Sequence, residues 1–140
     1  MKIYTIGHSN RGMKEFMRLL KKYKIESIID VRRFPTSKID IFKKENMEKW
    51  LSAESIEYLH LEELGGYRGG YEEWMKNRRW REGYETLKEI ASKKRVAIMC
   101  AEKLPFRCHR RFIAIKLKSD GWEVIHIIDE NRIWEEKRKD

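Results

Sequence analysis

Residues 95–111 read RVAIMCAEKLPFRCHRR. The run up to Cys100 is apolar and β-branched enough for a buried strand, and the basic loop after it opens a helix that carries Arg107, Cys108, His109 and Arg110. A strand passing through a loop into a helix is half of a βαβ unit, which points to the α/β class. Both cysteines of the chain lie in this junction. Backbone N–H groups at a helix N-terminus and nearby guanidinium groups favour an anion and lower the pKa of a local thiol. A reactive cysteine or an oxyanion site is therefore expected here. The alternative is packing, with Cys100 a small apolar residue at a strand end and Cys108 facing the core.

Outward from this stretch, four more strand-like runs are found at Lys2 to Ile6, Ser27 to Val31, Glu57 to Leu61 and Glu123 to Ile128. Helical patterns separate them. Met13, Phe16, Met17 and Leu20 form one apolar stripe, and Trp80, Tyr84, Leu87 and Ala91 another. Met47, Trp50 and Leu51 mark a helix before the third strand. Phe112, Ile113, Ile115 and Leu117 mark the helix after the cysteine loop, with Gly121 as its cap. This alternation predicts one α/β domain over residues 1–140: a mainly parallel five-stranded sheet with helices on both faces, a Rossmann-like three-layer arrangement. The charged end, residues 135–140, reads as a fraying helix tail.

The chain has 140 residues, room for a core without metal or disulfide staples. Two cysteines, no leader-like start at Met1 and no membrane-length apolar run predict a cytoplasmic protein with no membrane association. Lys and Arg outnumber Asp and Glu by 32 to 23, a net charge of +9 that favours polyanionic or phosphorylated partners. Abundant Lys and Glu with no glutamine also resembles the composition of proteins from hot environments, where surface ion pairs support stability.

In an open parallel sheet, ligands bind beyond the carboxyl ends of the strands. The residues expected there are polar: Gly7, His8, Ser9 and Asn10 after the first strand, Asp30, Arg32 and Arg33 after the second, His60 and Glu62 after the third, Cys100 and Glu102 after the fourth, Asp129 after the fifth. They offer a thiol, imidazoles, carboxylates and guanidinium groups in one crevice. Each has a plainer role open to it: His8 bonded to nearby backbone, Asp30 paired with Arg32, Glu102 capping the helix or neutralising Arg107. The loop LGGYRGGY, 64–71, sets Tyr67 and Tyr71 around Arg68 and suits a lid or a stacking platform, or is an ordinary connection. His8, Cys100, Cys108 and His109 are acceptable zinc ligands, yet seven residues between the cysteines is not the usual ligand spacing, and no metal or other cofactor is predicted. A reversible disulfide between the two cysteines would fit a redox sensor.

The motifs IGHS (6–9), DVR (30–32), LGG (64–66), CAE (100–102) and CHR (108–110), in this order, resemble the domain-of-unknown-function-488 family. The likeness spans almost the whole chain and implies no assigned reaction. A more distant resemblance, strongest over the last third from AIMC to Trp134, is to rhodanese and cysteine-phosphatase domains. It implies a rhodanese-like form of the three-layer fold, with Cys100 as nucleophile, loop N–H groups and Arg107 or Arg110 as the anion cradle, and Asp30 or Glu102 handling protons or orienting. The loop departs from that pattern: it has no glycine, contains Pro105, and places Arg107 seven positions after Cys100.

The leading functional expectation is an enzyme or enzyme-like site for a phosphorylated or nucleotide-like anion. Arg32, Arg107, His109 and Arg110 would hold the anion, with Ser9 and Cys108 beside it, and Cys100, Glu102, Asp30 and His8 would act on it. One alternative is a nucleic-acid-binding module using Lys43, Lys44, Arg78, Arg79, Arg81 and the Gly-Gly-Tyr loop. The other is a metal or thiol-redox sensor. Oligomeric state is not legible.

Overall fold

Five short apolar strands follow from the periodicity; in the computed structural model, which describes residues 1–137, they form one sheet with a sixth. The strands are β1 (Lys2–Gly7), β2 (Ser27–Asp30), β3 (Glu57–His60), β4 (Val96–Cys100), β5 (Glu123–Asp129) and β6 (Arg132–Glu135). The helices are α1 (Met13–Lys22), α2 (Lys44–Ala53), α3 (Tyr71–Trp74), α4 (Arg78–Lys93) and α5 (Arg110–Ser119). The strand order is β3-β2-β4-β1-β5-β6. The first five strands are parallel, and β6 turns back on β5 as an antiparallel edge.

The sixth strand corrects the expected count of five. RIWE carries a charge at each end and leaves only two apolar residues, too little for a period-2 signal, and it exists because it pairs with β5. The expected frayed tail also gives way at its start: Glu135 closes β6 and Glu136 is buried, while 138–140 lie outside the described residues.

Burial follows from strand position. Every residue of β4 is buried, because VAIMC lies between β2 and β1 with helices over both faces, whereas the edge strand β3 stays half-exposed. On one face, Phe16, Leu19 and Leu20 of α1 and Met47 and Leu51 of α2 meet Ile6, Ile28 and Met99. On the other, Trp80, Tyr84 and Leu87 of α4 and Ile113 and Leu117 of α5 meet Ile29, Ile98 and Val124. The chain leaves β1 over the first face and β4 over the second. The adjacent ends of β1 and β4, Gly7 beside Cys100, are thus the switch point at which α/β sheets open a crevice.

No helix among the described residues is long and apolar enough to cross a membrane.

Candidate functional site

A short 3₁₀ turn, Pro105–Arg107, follows β4, and α5 begins only at Arg110. The helix expected from Arg107 onward thus starts three residues later, since Pro105 favours the tight turn and Cys108 is extended. This detour folds the second cysteine back over the first. The sulfurs of Cys100 and Cys108 are in bonding contact, with the Cα atoms 7.3 Å apart. Disulfides usually span about 4.4–6.8 Å between Cα atoms, so the pair lies just beyond that range and a relaxed bridge draws the loop that carries Cys108 closer to β4.

The segment after Cys100 rests directly on the end of β1. A side chain at Gly7 would collide with the carbonyl of Glu102, and His8 and Ser9 donate their N–H groups to Cys100 and Ala101, both at 2.9 Å. The glycine of the IGHS motif therefore permits backbone to lie on backbone.

Arg110, one of the largest wholly buried side chains, occupies the crevice beneath. Its Nη1 donates to Cys100 Sγ at 2.8 Å and to the Glu102 carbonyl, its Nη2 to the Lys103 carbonyl at 3.0 Å, and its Nε to Thr5 Oγ1 at 3.1 Å. Thr5 in turn donates to His126 Nδ1 at 2.6 Å, and His126 Nε2 donates to the Glu136 carboxylate at 3.2 Å. A continuous hydrogen-bonded chain thus runs from Glu136 to Cys100. Burial lowers the pKa of Arg110 to about 10, reinforced by the charge of Arg11. Burial and the charges of Arg110 and Arg111 push His126 down to about 3, so its contact with Glu136 is a neutral N–H on a carboxylate. Burial raises Glu136.

His109 Nε2 donates to the Val31 carbonyl at 2.7 Å, which fixes the tautomer and leaves Nδ1 facing Cys108 Sγ at 3.7 Å. Burial lowers its pKa, which favours the neutral ring with an unprotonated Nδ1 and makes it a weaker base than a free imidazole. The N–H of Arg110 points at the same sulfur from 3.4 Å. Cys108 is half-buried, and Cys100 is 2 % exposed.

A second buried cluster lies across β4. Asp30 accepts from Arg32 Nε at 2.9 Å, Nη2 at 2.7 Å and the backbone N–H at 3.0 Å, and also from the Tyr58 hydroxyl. Arg32 Nη1 donates to the Phe42 carbonyl at 2.8 Å and lies 3.4 Å from His8 Nε2. His8 stacks on Phe42 at 4.4 Å, and burial lowers its pKa. His60 Nε2 donates to the Arg32 carbonyl at 2.5 Å.

The edge therefore brings together His8, Asp30, Arg32 and His60 on one side, and Cys100, Cys108, His109 and Arg110 on the other. It leaves several expected members out. Arg107 is exposed and joins no described ion pair; Glu102 contributes its carbonyl while its side chain is exposed; Ser9, at a positive φ of 47°, turns its hydroxyl to Asn10 Oδ1, and its carbonyl accepts from His8 Nδ1 at 2.8 Å. Asp129 pairs with Arg132 at the β5–β6 turn, 3.2 Å away. Tyr71 is not a lid: it is buried, donates to the Leu64 carbonyl at 2.7 Å and accepts from Trp80 Nε1 at 2.7 Å, because α3 turns it under the loop. Tyr67 and Arg68 are exposed.

Sequence reasoning missed Thr5, Tyr58, His126 and Glu136. A polar residue amid an otherwise apolar strand, such as Thr5 in KIYTIG and His126 in EVIHIID, was the available signal. Among the described residues no group of three or more His, Cys, Asp or Glu side chains is placed to share a metal ion.

Compared with known proteins, residues 12–117 match the family model described as a domain of unknown function, DUF488. No curated protein matches.

Proposed function

The chain belongs to the DUF488 family, and from that premise and the geometry of its sheet edge we propose that it is a thiol–disulfide protein working through Cys108 and Cys100. One observation carries the reading: Val31 holds His109 in the tautomer that turns a lone pair toward Cys108, while the Arg110 guanidinium donates to Cys100. Cys108 is the sulfur a substrate reaches, and Cys100 lies behind it.

The chemistry follows from these positions. His109 Nδ1 takes the thiol proton of Cys108, and the thiolate attacks one sulfur of a substrate disulfide. A bond forms between Cys108 and that sulfur, the substrate's own S–S bond breaks, and the departing thiolate recovers the proton from His109. Cys100, as a thiolate favoured by the Arg110 charge, then attacks Cys108 Sγ and expels the second substrate thiol. Two protein thiols are oxidised to one disulfide and one substrate disulfide is reduced to two thiols. Either direction is chemically open; the substrate class is a disulfide or a dithiol.

This reading assigns first attack to Cys108 rather than to Cys100. A phosphate cradle has less support, because Arg32 is bound to Asp30, Arg110 to sulfur and carbonyls, and Arg107 faces solvent.

The test is reaction of the reduced protein with an aromatic disulfide, following thiol release and intact mass. Wild type is expected to release both equivalents of thiol and end as an internal Cys100–Cys108 disulfide. Cys100→Ser should stop as a mixed disulfide on Cys108, and Cys108→Ser should react at least about tenfold more slowly. Equal rates in wild type and Cys108→Ser, or a wild type that never closes its own disulfide, would refute the reading.

A further inference from the structure

Beside the thiol site, a second feature of the same edge is built from different residues. Phe34 follows β2 and is 72 % exposed; Tyr67 lies in the loop after β3 and is 44 % exposed. The guanidinium carbon of Arg33 is 5.6 Å from the centroid of each ring, so the two rings flank a cation. Tyr67 is backed by Trp74, stacked at 4.8 Å with 16° between the planes, which holds its outer face in place. A cleft of about 680 Å³ opens between Arg33, Phe34, Gly66, Tyr67, Arg68 and Gly69. Its size lies within the usual span of ligand clefts, about 300–1,000 Å³.

The loop reaches this position because a side chain at Gly65 would press to 2.5 Å from the Arg33 backbone. The LGG motif thus brings the Tyr67–Arg68 segment against the end of β2.

Charge decides what the cleft suits. The basic residues that sequence reasoning offers to nucleic acid are largely spoken for: Lys43 pairs with Asp40 at 3.0 Å, Lys44 with Glu48 at 3.9 Å, Arg78 with Glu82 at 2.9 Å and Arg79 with Glu62 at 3.4 Å. Arg33 and Arg68 join no ion pair with a described acid, and no acid lines this cleft. Arg33 also donates to the Gly66 carbonyl at 3.5 Å, which holds it between the rings. Two flat faces and two guanidinium groups outside any ion pair match a strand that alternates planar bases with phosphates. A duplex keeps its base faces stacked inside and offers none to Phe34 or Tyr67.

We propose that the Phe34–Arg33–Tyr67 cleft binds single-stranded nucleic acid, with bases on the two rings and phosphates on Arg33 and Arg68. The site is separate from the cysteine chemistry and stands without it.

Fluorescence anisotropy with a labelled mixed-sequence single strand, as DNA and as RNA, and with the corresponding duplex, tests this over a salt series. Phe34→Ala, at an exposed position where folding is not at stake, is expected to weaken single-strand binding roughly 5- to 100-fold. Arg33→Ala and Arg68→Ala should each reduce the salt slope by about 0.7. A control of equal charge change, Arg78→Ala, should alter neither. Tight binding of either the DNA or the RNA strand supports the site, and the preferred one identifies the source. Unchanged binding by Phe34→Ala, an equal loss in Arg78→Ala, or a duplex bound as tightly as the single strand would overturn it.

Discussion

Of the arginines buried at this sheet edge, Arg32 and Arg110 lie on either side of the β4 terminus and are neutralised differently. Arg32, 6 % exposed, is forked onto the Asp30 carboxylate. Burial alone pulls its guanidinium down, but the bonds and charge of Asp30 more than restore it, and it ends above its ordinary value. Arg110, with no exposure at all, has carbonyls, a hydroxyl and a sulfur but no carboxylate in hydrogen-bonding contact, and its pKa falls to about 10. A buried cation with its anion in place is a structural fixture. One whose nearest group able to become an anion is a cysteine gains most when that thiol ionises, which ties its energetics to the redox state of the pair.

The largest effect expected from this contrast is at Asp30. Removing the carboxylate in Asp30→Ala leaves the buried Arg32 charge without a counter-ion and should cost about 3–5 kcal/mol in urea denaturation. Arg110→Met should cost less, about 1.5–3 kcal/mol, because losing three sets of hydrogen bonds is offset by removing an unneutralised charge. The same variant should slow closure of the internal disulfide tenfold or more while leaving first attack by Cys108 near wild type. If Arg110→Met destabilises as much as Asp30→Ala and closure is unchanged, the two arginines are equivalent and the contrast collapses.

A smaller effect concerns acid. His126, on the Arg110 side, has a folded pKa near 3 against about 6.5 when unfolded, so the unfolded state binds the proton more readily. Its contribution is complete above pH ~6.5 and is lost as pH falls toward 3, on the order of 1–2 kcal/mol by pH 5. His8 and His109 are lowered too and act in the same direction. Thermal melts from pH 7.5 to 5 should show this decline, and His126→Asn should flatten it in part. A flat wild-type profile would mean that His126 already meets a proton in the folded state.

The layers and the parallel strands were legible because each strand and helix carries its own periodic apolar signal. The strand β6 was not, since RIWE acquires its role only from β5 beside it. The same holds for the site. That Asp30 precedes Arg32 by two residues can be read along the chain, and the pair is found bonded. That Thr5 meets His126 depends on β1 lying next to β5, a relation of sheet order and not of spacing. Arg107 and Arg110 were indistinguishable as cradle candidates because the 3₁₀ turn at Pro105, which exposes one and inserts the other, is set by how the loop lands on β1.

That landing has a mechanical consequence. At Gly7 two main chains touch with nothing between them, so the residue is a seat for the segment from Ala101 to Lys103, the segment whose carbonyls clasp Arg110. A single methyl group there would act as a wedge, lifting that segment off the sheet and shifting the turn that carries one sulfur relative to the strand that carries the other. The gap across which the two cysteines can exchange a bond is gauged by the thinnest residue in the chain.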